Sequence, residues 1–481
     1  MPTSKVFSSV VWASVQRFGT MIISFVTNIV LARLLTPDDF GTIGMLLLFL
    51  AIANTFVDSG FGSALIQKKD ATQTDFSTVF YINLALSIVI YAVLFFGAPW
   101  VAGFYGVDIL NPLLRVQGLV LILNGFCIVQ TALLRKMMNF RKLSVCNLIG
   151  NAVGSVVAIL AALSGYGVWS LVIRSLISSI VTAVLLWIVG NWKPLLIFSL
   201  KSFKELFGFG GFMLLSSIIM AITNNVQTLI IGKMFQKSTL GHYTQARQLR
   251  NIASDSISSI IGQVLYPEFS NNQNDNKALE TRQNFSIQAI SFLTIALMAI
   301  CILAAKPLIL LLYGEKWLEC VPYFQLLCIG GCFVSLQDVN YNVVAAKGKS
   351  KMLFYCNLIK AIYFCLLLIA GAKYWGIYGL LFAMIIYSIS AYLAFAALAC
   401  YYLKCNIMGQ LSKLTQTIAL AIAPFVITFY VNRLLLADVP NIIVILVVLI
   451  VFLVLYLGFS YATKNAVLLY LLNMTHIKKN A

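Results

Sequence analysis

Apolar runs of about twenty residues follow one another along the whole chain, with only short polar connections between them. A run of that length crosses the ~30 Å hydrocarbon core of a bilayer as a helix. The pattern predicts fourteen spans: 10–35, 40–65, 76–98, 110–134, 143–164, 167–190, 207–232, 240–266, 284–305, 319–346, 352–372, 376–401, 413–436 and 441–462. Of the 481 residues 61% are hydrophobic and only 10% are charged, against about 25% charged in a soluble domain. No soluble core absorbs that much apolar sequence, so the solvent is lipid. The expected fold class is an all-α polytopic membrane protein.

The same composition excludes several functions. The net charge of +18 suggests nucleic acid, but the bases are too few and too widely spaced, so no nucleic-acid partner is expected. The ten cysteines lie mostly inside apolar runs, where they read as packing residues rather than as disulfides or a metal site. The two histidines, His242 and His476, leave little material for a zinc site or a nucleophile–His pair. There is no nucleotide-binding motif. No cofactor, metal or catalytic centre is expected. The first apolar run continues past Arg17 to about Leu35, too long for the apolar stretch of a cleaved signal.

The bases choose a side. Loops on the side of the N-terminus carry twenty Lys and Arg, among them Lys68, Lys69, Arg135 and Lys136, against seven on the other side. The acidic loop residues divide evenly. The positive-inside rule then places both termini in the cytoplasm. Residues 193–206, with Leu195, Leu196, Ile197, Phe198 and Phe203 around Lys201 and Lys204, read as an amphipathic interfacial linker or as an early start to span 7.

The second half repeats the first. Pro99, Tyr105 and Gly106 match Pro307, Tyr313 and Gly314 at an offset of 208. "CNLIG" (146–150) matches "CNLIK" (356–360), "YGVW" (166–169) matches "WGIY" (375–378), and "ARLLTPDDFG" (32–41) matches "GKMFQKSTLG" (232–241). A six-span unit repeated once predicts two bundles related by an axis along the membrane normal, a transporter arrangement with a cavity between them. The expected organisation is a bundle at 1–192, a linker at 193–206, a second bundle at 207–405, and spans 13 and 14 with a tail at 406–481.

Charges inside spans are costly and mark function by default. On span 1, Arg17, Thr20, Ser24, Thr27 and Asn28 share one helical face. At an offset of 200, Asn224, Gln227 and Thr228 repeat that stripe on span 7. Span 8 carries Arg247, Asn251, Ser254 and Ser258 on one stripe, with Arg250 and Asp255 beside it. The remaining in-span charges are Arg115, Arg174, Lys360, Asp58 and Asp338. Arg17, Arg115, Lys360 and Arg174 sit close enough to span ends to snorkel. Taken together, six bases against three acids would attract an anion in a wet cavity, and arginine suits phosphate through paired hydrogen bonds.

The segments "NIVLARLLTPDDFGTIGM", "DSGFGSALIQKKD", "GYGVWSLV" and "LLRKMMNFRKLS" resemble the Wzx-type polysaccharide flippases, nearest the WzxC-like group, of the multidrug/oligosaccharidyl-lipid/polysaccharide exporter superfamily. The resemblance covers about residues 5 to 470. It implies two six-helix bundles in a V, two further helices outside them, and residence in the bacterial inner membrane. It also implies translocation of a polyprenyl-diphosphate-linked oligosaccharide, with the bilayer and other polysaccharide-assembly proteins as partners. Arg17 occupies a place comparable to a diphosphate-engaging cation in related lipid II flippases. On this reading Arg17, Arg247, Arg250 and Arg174 meet diphosphate. Ser24, Asn28, Asn224, Gln227, Thr228 and Asn251 line the cavity. Asp58, Asp255 and Asp338 couple transport to an ion or balance charge. Two rival functions are a multidrug–cation antiporter, for which an acid-lined cavity is expected, and a polysaccharide polymerase or ligase, for which the outward loops are too short.

Overall fold

The computed structural model describes residues 3–58, 60–435 and 439–470, with backbone alone at 3–6, 205–213, 216, 255–264, 266–267 and 435. The described residues form helices and no strand. Residues up to Gly241 make one compact unit and residues from His242 a second.

The first unit contains α1 (Thr3–Leu34), α2 (Pro37–Asp58), the short α3 (Phe61–Gln67), α4 (Gln73–Tyr105), α5 (Leu110–Lys136), α6 (Phe140–Leu163), α7 (Trp169–Val189) and α8 (Leu200–Met234). Its main packing pairs are α1 with α6, α2 with α8, α4 with α5, α5 with α7 and α6 with α7. Polar residues start the helices where the sequence leaves the apolar runs. Thr72 and Asp75 form a reciprocal capping box on α4, and Asn139 caps α6. The start of α9 (Lys237–Asn271) also belongs here. A Cβ on Gly41 would lie 1.9 Å from the Lys237 carbonyl oxygen, and one on Gly241 1.9 Å from that of Pro37. Those two glycines therefore let the first turns of α2 and α9 meet backbone to backbone.

The second unit holds the rest of α9, α10 (Asn276–Leu303), α11 (Ala305–Leu312), α12 (Cys320–Ala346), α13 (Ser350–Leu403), α14 (Ile407–Leu435) and α15 (Asn441–Ala462). α13 is two helices joined across a kink at Trp375 and Gly376. Its apolar core brings together α10, α12, α14 and α15. Inside that core three amides from different helices meet: Gln283 and Gln410 both donate to the Asn340 carbonyl oxygen, at 2.6 and 3.3 Å. Tyr456 of α15 donates to the Phe292 carbonyl oxygen at 3.1 Å, so the last two helices are tied to α10 by hydrogen bonds as well as by packing.

Turns that match in sequence share the sign of one backbone angle. Gly106 and Gly314 both have positive φ, as do Gly167 and Gly376, and Met138 and Gly348. Each pair sits at a matching turn of the two halves, where glycine is favoured because left-handed backbone crowds a Cβ. Eleven helical segments among the described residues are long and apolar enough to cross a membrane.

The expected linker has a defined form. Residues 191–199 are a non-helical strap, and helix resumes at Leu200 as α8, ahead of the expected start of span 7 at 207. Pro194 disfavours helix at Lys193 before it. Side chains of α4 and α5 then hold the strap's backbone. Gln130 and Gln73 donate to the carbonyls of Trp192 and Lys193 at 2.9 and 2.7 Å. The backbone N–H groups of Leu195 and Ser199 donate to Ser77 and Thr78 at 3.0 and 3.1 Å. Trp192 packs on Phe80 beneath the strap, while Leu195, Leu196, Ile197 and Phe198 are exposed, Leu196 by 94%.

Candidate functional site: a polar cavity in the first unit

Several helices of the first unit leave a cavity of about 600 Å³ between them. α2 contributes Thr55 and Asp58, the α3 turn Ser63, α5 Asn124, Cys127, Thr131 and Arg135. α6 contributes Asn147, α7 Ser178, Ser179 and Thr182, and α8 Ser217. The α5 set falls at three- and four-residue intervals, one helical face. α6 and α7 approach closely because Gly150 and Gly154 carry no side chain: a Cβ on Gly150 would sit 2.0 Å from the Thr182 hydroxyl oxygen. That approach sets Ser178 and Thr182 in the wall.

The charges stand where the cavity is most accessible. Asp58 and Arg135 are both exposed and both line the cavity. The polar groups farther in, Asn124, Thr131, Asn147, Ser178, Ser179 and Thr182, are neutral and half-buried. Asn124 donates to Asn54 at 3.1 Å, and Asn147 to the Leu143 carbonyl at 2.9 Å. Both therefore keep a side-chain oxygen free to accept. Ser63, Thr131, Ser178, Ser179, Thr182 and Ser217 have no side-chain hydrogen bond among the described residues.

Of the residues expected from sequence, Asp58 alone lines this cavity. Arg17 is exposed on α1, whose close contact is Gly19 against Leu148 of α6. Ser24 accepts a hydrogen bond from Asn151 at 3.4 Å. Asn28, Gln227 and Thr228 are buried, while Asn224 is exposed. Gln227 and Thr228 donate to carbonyls of their own helix, Asn224 and Asn225, at 2.6 Å each. Arg174 is half-buried on α7. In the second unit Arg247, Arg250, Asn251 and Asp338 are half-buried. The stem of Arg250 packs at Gly331, whose added Cβ would lie 3.3 Å from the Arg250 Cδ. Asp255 lies outside the described side chains. Lys360 is held over the Phe395 ring at 4.3 Å, and Arg115 over the Phe95 ring at 4.4 Å, so neither is a bare snorkelling base. Sequence reasoning missed the part played by Arg135, which counts there only as a loop charge. The signal for it was the Asn124–Thr131–Arg135 face of α5.

Membrane-crossing helices around a polar cavity are the construction of a membrane transporter rather than of a soluble binding module. The profile of the family described as "Polysaccharide biosynthesis protein" matches residues 30–322, and the chain belongs to that family. It is 26% identical over 432 residues to the teichuronic acid biosynthesis protein TuaB of Bacillus subtilis, covering 89% of each chain. It is 23% identical over 377 residues to the lipopolysaccharide biosynthesis protein WzxC of Escherichia coli, covering 78% of this chain and 77% of that one. Its fold is similar to that of the lipid II flippase MurJ in an inward closed conformation, with a TM-score of 0.76, 15% identity, and coverage of 95% and 99%. It is also similar to an inward-facing multidrug resistance MATE transporter, with a TM-score of 0.64, 14% identity, and coverage of 85% and 98%. At those identities the two likenesses show the fold.

Proposed function

We propose that this protein carries a polyprenyl-diphosphate-linked oligosaccharide, a repeat unit of a lipopolysaccharide, O-antigen, capsule or exopolysaccharide, from the inner to the outer leaflet of the cytoplasmic membrane. The carrying observation is a polar cavity of about 600 Å³ inside a chain of the polysaccharide biosynthesis family. The relatives act in teichuronic acid and lipopolysaccharide synthesis, and the fold is that of a lipid II flippase.

The prenyl tail stays in lipid while the hydrophilic head passes through protein by alternating access. Arg17, Arg247, Arg250 and Arg174 are the groups for the diphosphate, reached in different states of the cycle. Asp58, Asp255 and Asp338 either couple the cycle to an ion gradient or membrane potential, or balance the arginines. Counting α13 as two and adding the 35-residue α8 and α9 to the eleven spanning segments supports the reading of fourteen spans. An even number keeps both termini in the cytoplasm, in agreement with the Lys/Arg asymmetry.

An antiporter for cationic drugs is the rival that shares the fold. It fares worse because the in-span bases, Arg17, Arg115, Arg174, Arg247, Arg250 and Lys360, outnumber the acids two to one. Lipid analysis of a deletion strain separates the two. The flippase reading expects a prenyl-linked oligosaccharide to accumulate facing the cytoplasm. Normal surface polysaccharide with no accumulated intermediate overturns it.

A further inference from the structure

The charge that the described residues bring to the first-unit cavity balances, and this limits what the cavity accepts. Among the described residues that line it, Asp58 and Arg135 are the charged side chains, one of each sign. A diphosphate only accepts hydrogen bonds and needs a surplus of donors and positive charge. The described lining offers no surplus of positive charge. Its neutral wall is instead made of hydroxyls, which both donate and accept, and of amide oxygens, which accept.

A sugar hydroxyl has the same dual character. Ser63, Thr131, Ser178, Ser179, Thr182 and Ser217 are without side-chain partners among the described residues. Such groups are satisfied by water when the cavity is vacant and by a polyol when it is filled. Among the described residues no aromatic ring lines the cavity, and recognition runs along the hydroxyl edges they present.

We propose that this cavity is a glycan subsite: it takes an uncharged sugar of the lipid-linked cargo, held by the hydroxyls of α5 and α7, while the diphosphate is held elsewhere. Asp58 accepts from a sugar hydroxyl at the mouth, and Arg135 keeps that carboxylate compensated. The inference rests on the flippase reading and adds where, and by what chemistry, the sugar is recognised.

Cys127 reports on occupancy because it lines the cavity and is half-buried. The measurement is the rate of Cys127 alkylation by a small maleimide in the purified full-length protein in nanodiscs, with Cys127→Ala as the blank. Two probes are compared, farnesyl diphosphate bearing one N-acetylhexosamine and farnesyl diphosphate alone, with total binding of each followed separately. The sugar-bearing probe is expected to slow alkylation about tenfold and the sugar-free lipid to leave it unchanged. The double substitution Thr131→Val, Ser179→Ala is expected to weaken binding of the sugar-bearing probe about tenfold, the loss of two hydrogen bonds. Binding of the sugar-free lipid should not change. Equal protection by both probes makes the cavity a diphosphate site and overturns the inference. Binding of the sugar-bearing probe without protection overturns it too, and leaves the flippase reading standing. Binding of neither lipid removes that reading and this inference together.

Discussion

The Nε of Arg115 donates to the carbonyl oxygen of Phe95 at 3.2 Å, and the guanidinium lies 4.4 Å from the centre of the Phe95 ring. That carbonyl is the one that Pro99, four residues on in α4, leaves without a helical donor, because proline has no N–H. Arg115 supplies the missing bond, and α4 runs through Pro99 unbroken to Tyr105. Replacing Arg115 with Leu leaves a half-buried carbonyl unsatisfied and is expected to cost about 1–3 kcal/mol. Thermal unfolding in detergent measures it. In a Pro99→Ala background the helix provides its own donor, so the loss should shrink. A cost of the same size in both backgrounds refutes the assignment.

Gln283 and Gln410 both donate to Asn340 in the second unit, and each of the three is at most 1% exposed. Asn340→Leu strands two buried amides and is expected to lower stability by about 1–3 kcal/mol for each. Replacing all three residues with Leu should recover much of the loss, since an apolar core of similar volume leaves no polar group unpaired. A triple variant weaker than Asn340→Leu would show that the amides do more than satisfy one another.

Gly150 is the point of contact between the wall helices α6 and α7. A Cβ there would lie 2.0 Å from the Thr182 hydroxyl oxygen and 2.9 Å from the Ser178 carbonyl oxygen. Gly150→Ala is expected to part the helices and sharply reduce surface polysaccharide at an unchanged protein level. Wild-type polysaccharide from this variant would mean that transport tolerates a reshaped cavity wall.

Arg17 is exposed, so its removal does not disturb a packed core. Arg17→Ala is expected to abolish surface polysaccharide while the protein stays in the membrane. Arg17→Lys should retain part of the function if charge alone attracts the diphosphate. A loss as complete as with alanine points to the paired hydrogen bonds that only a guanidinium makes. Full function in a well-expressed alanine variant removes Arg17 from the site.

The helices were legible because lipid imposes long apolar runs, and matching turns such as Gly106 and Gly314 stood out in the sequence because both take positive φ, where glycine is favoured. The polar stripes were less so. A polar residue in an apolar helix reads as wet, yet Thr27 and Thr228 turn back to bond their own helix and are buried. The cavity wall escaped notice for the opposite reason. Ser178, Ser179 and Thr182 are small and uncharged, and what makes them a site is their convergence with Thr131 and Asn147, which helix periodicity alone does not reveal. The form of the strap at 191–199 was not legible, because hydrogen bonds from α4 and α5 rather than its own residue pattern decide its shape.

The second half treats its matching proline differently. There the helix stops at Ala304, between α10 and α11, and the carbonyl four residues before Pro307, that of Leu303, accepts from Asn432 of α14 at 3.0 Å. One copy of the repeat thus keeps a continuous lever of 33 residues, about 50 Å long. The other has a joint, and the pin through that joint belongs to a helix that the repeat does not contain. The carbonyl that Pro99 frees is held from the neighbouring α5 through Arg115, whereas the one that Pro307 frees depends on α14, so the C-terminal helices serve the second unit's proline as well as its apolar core.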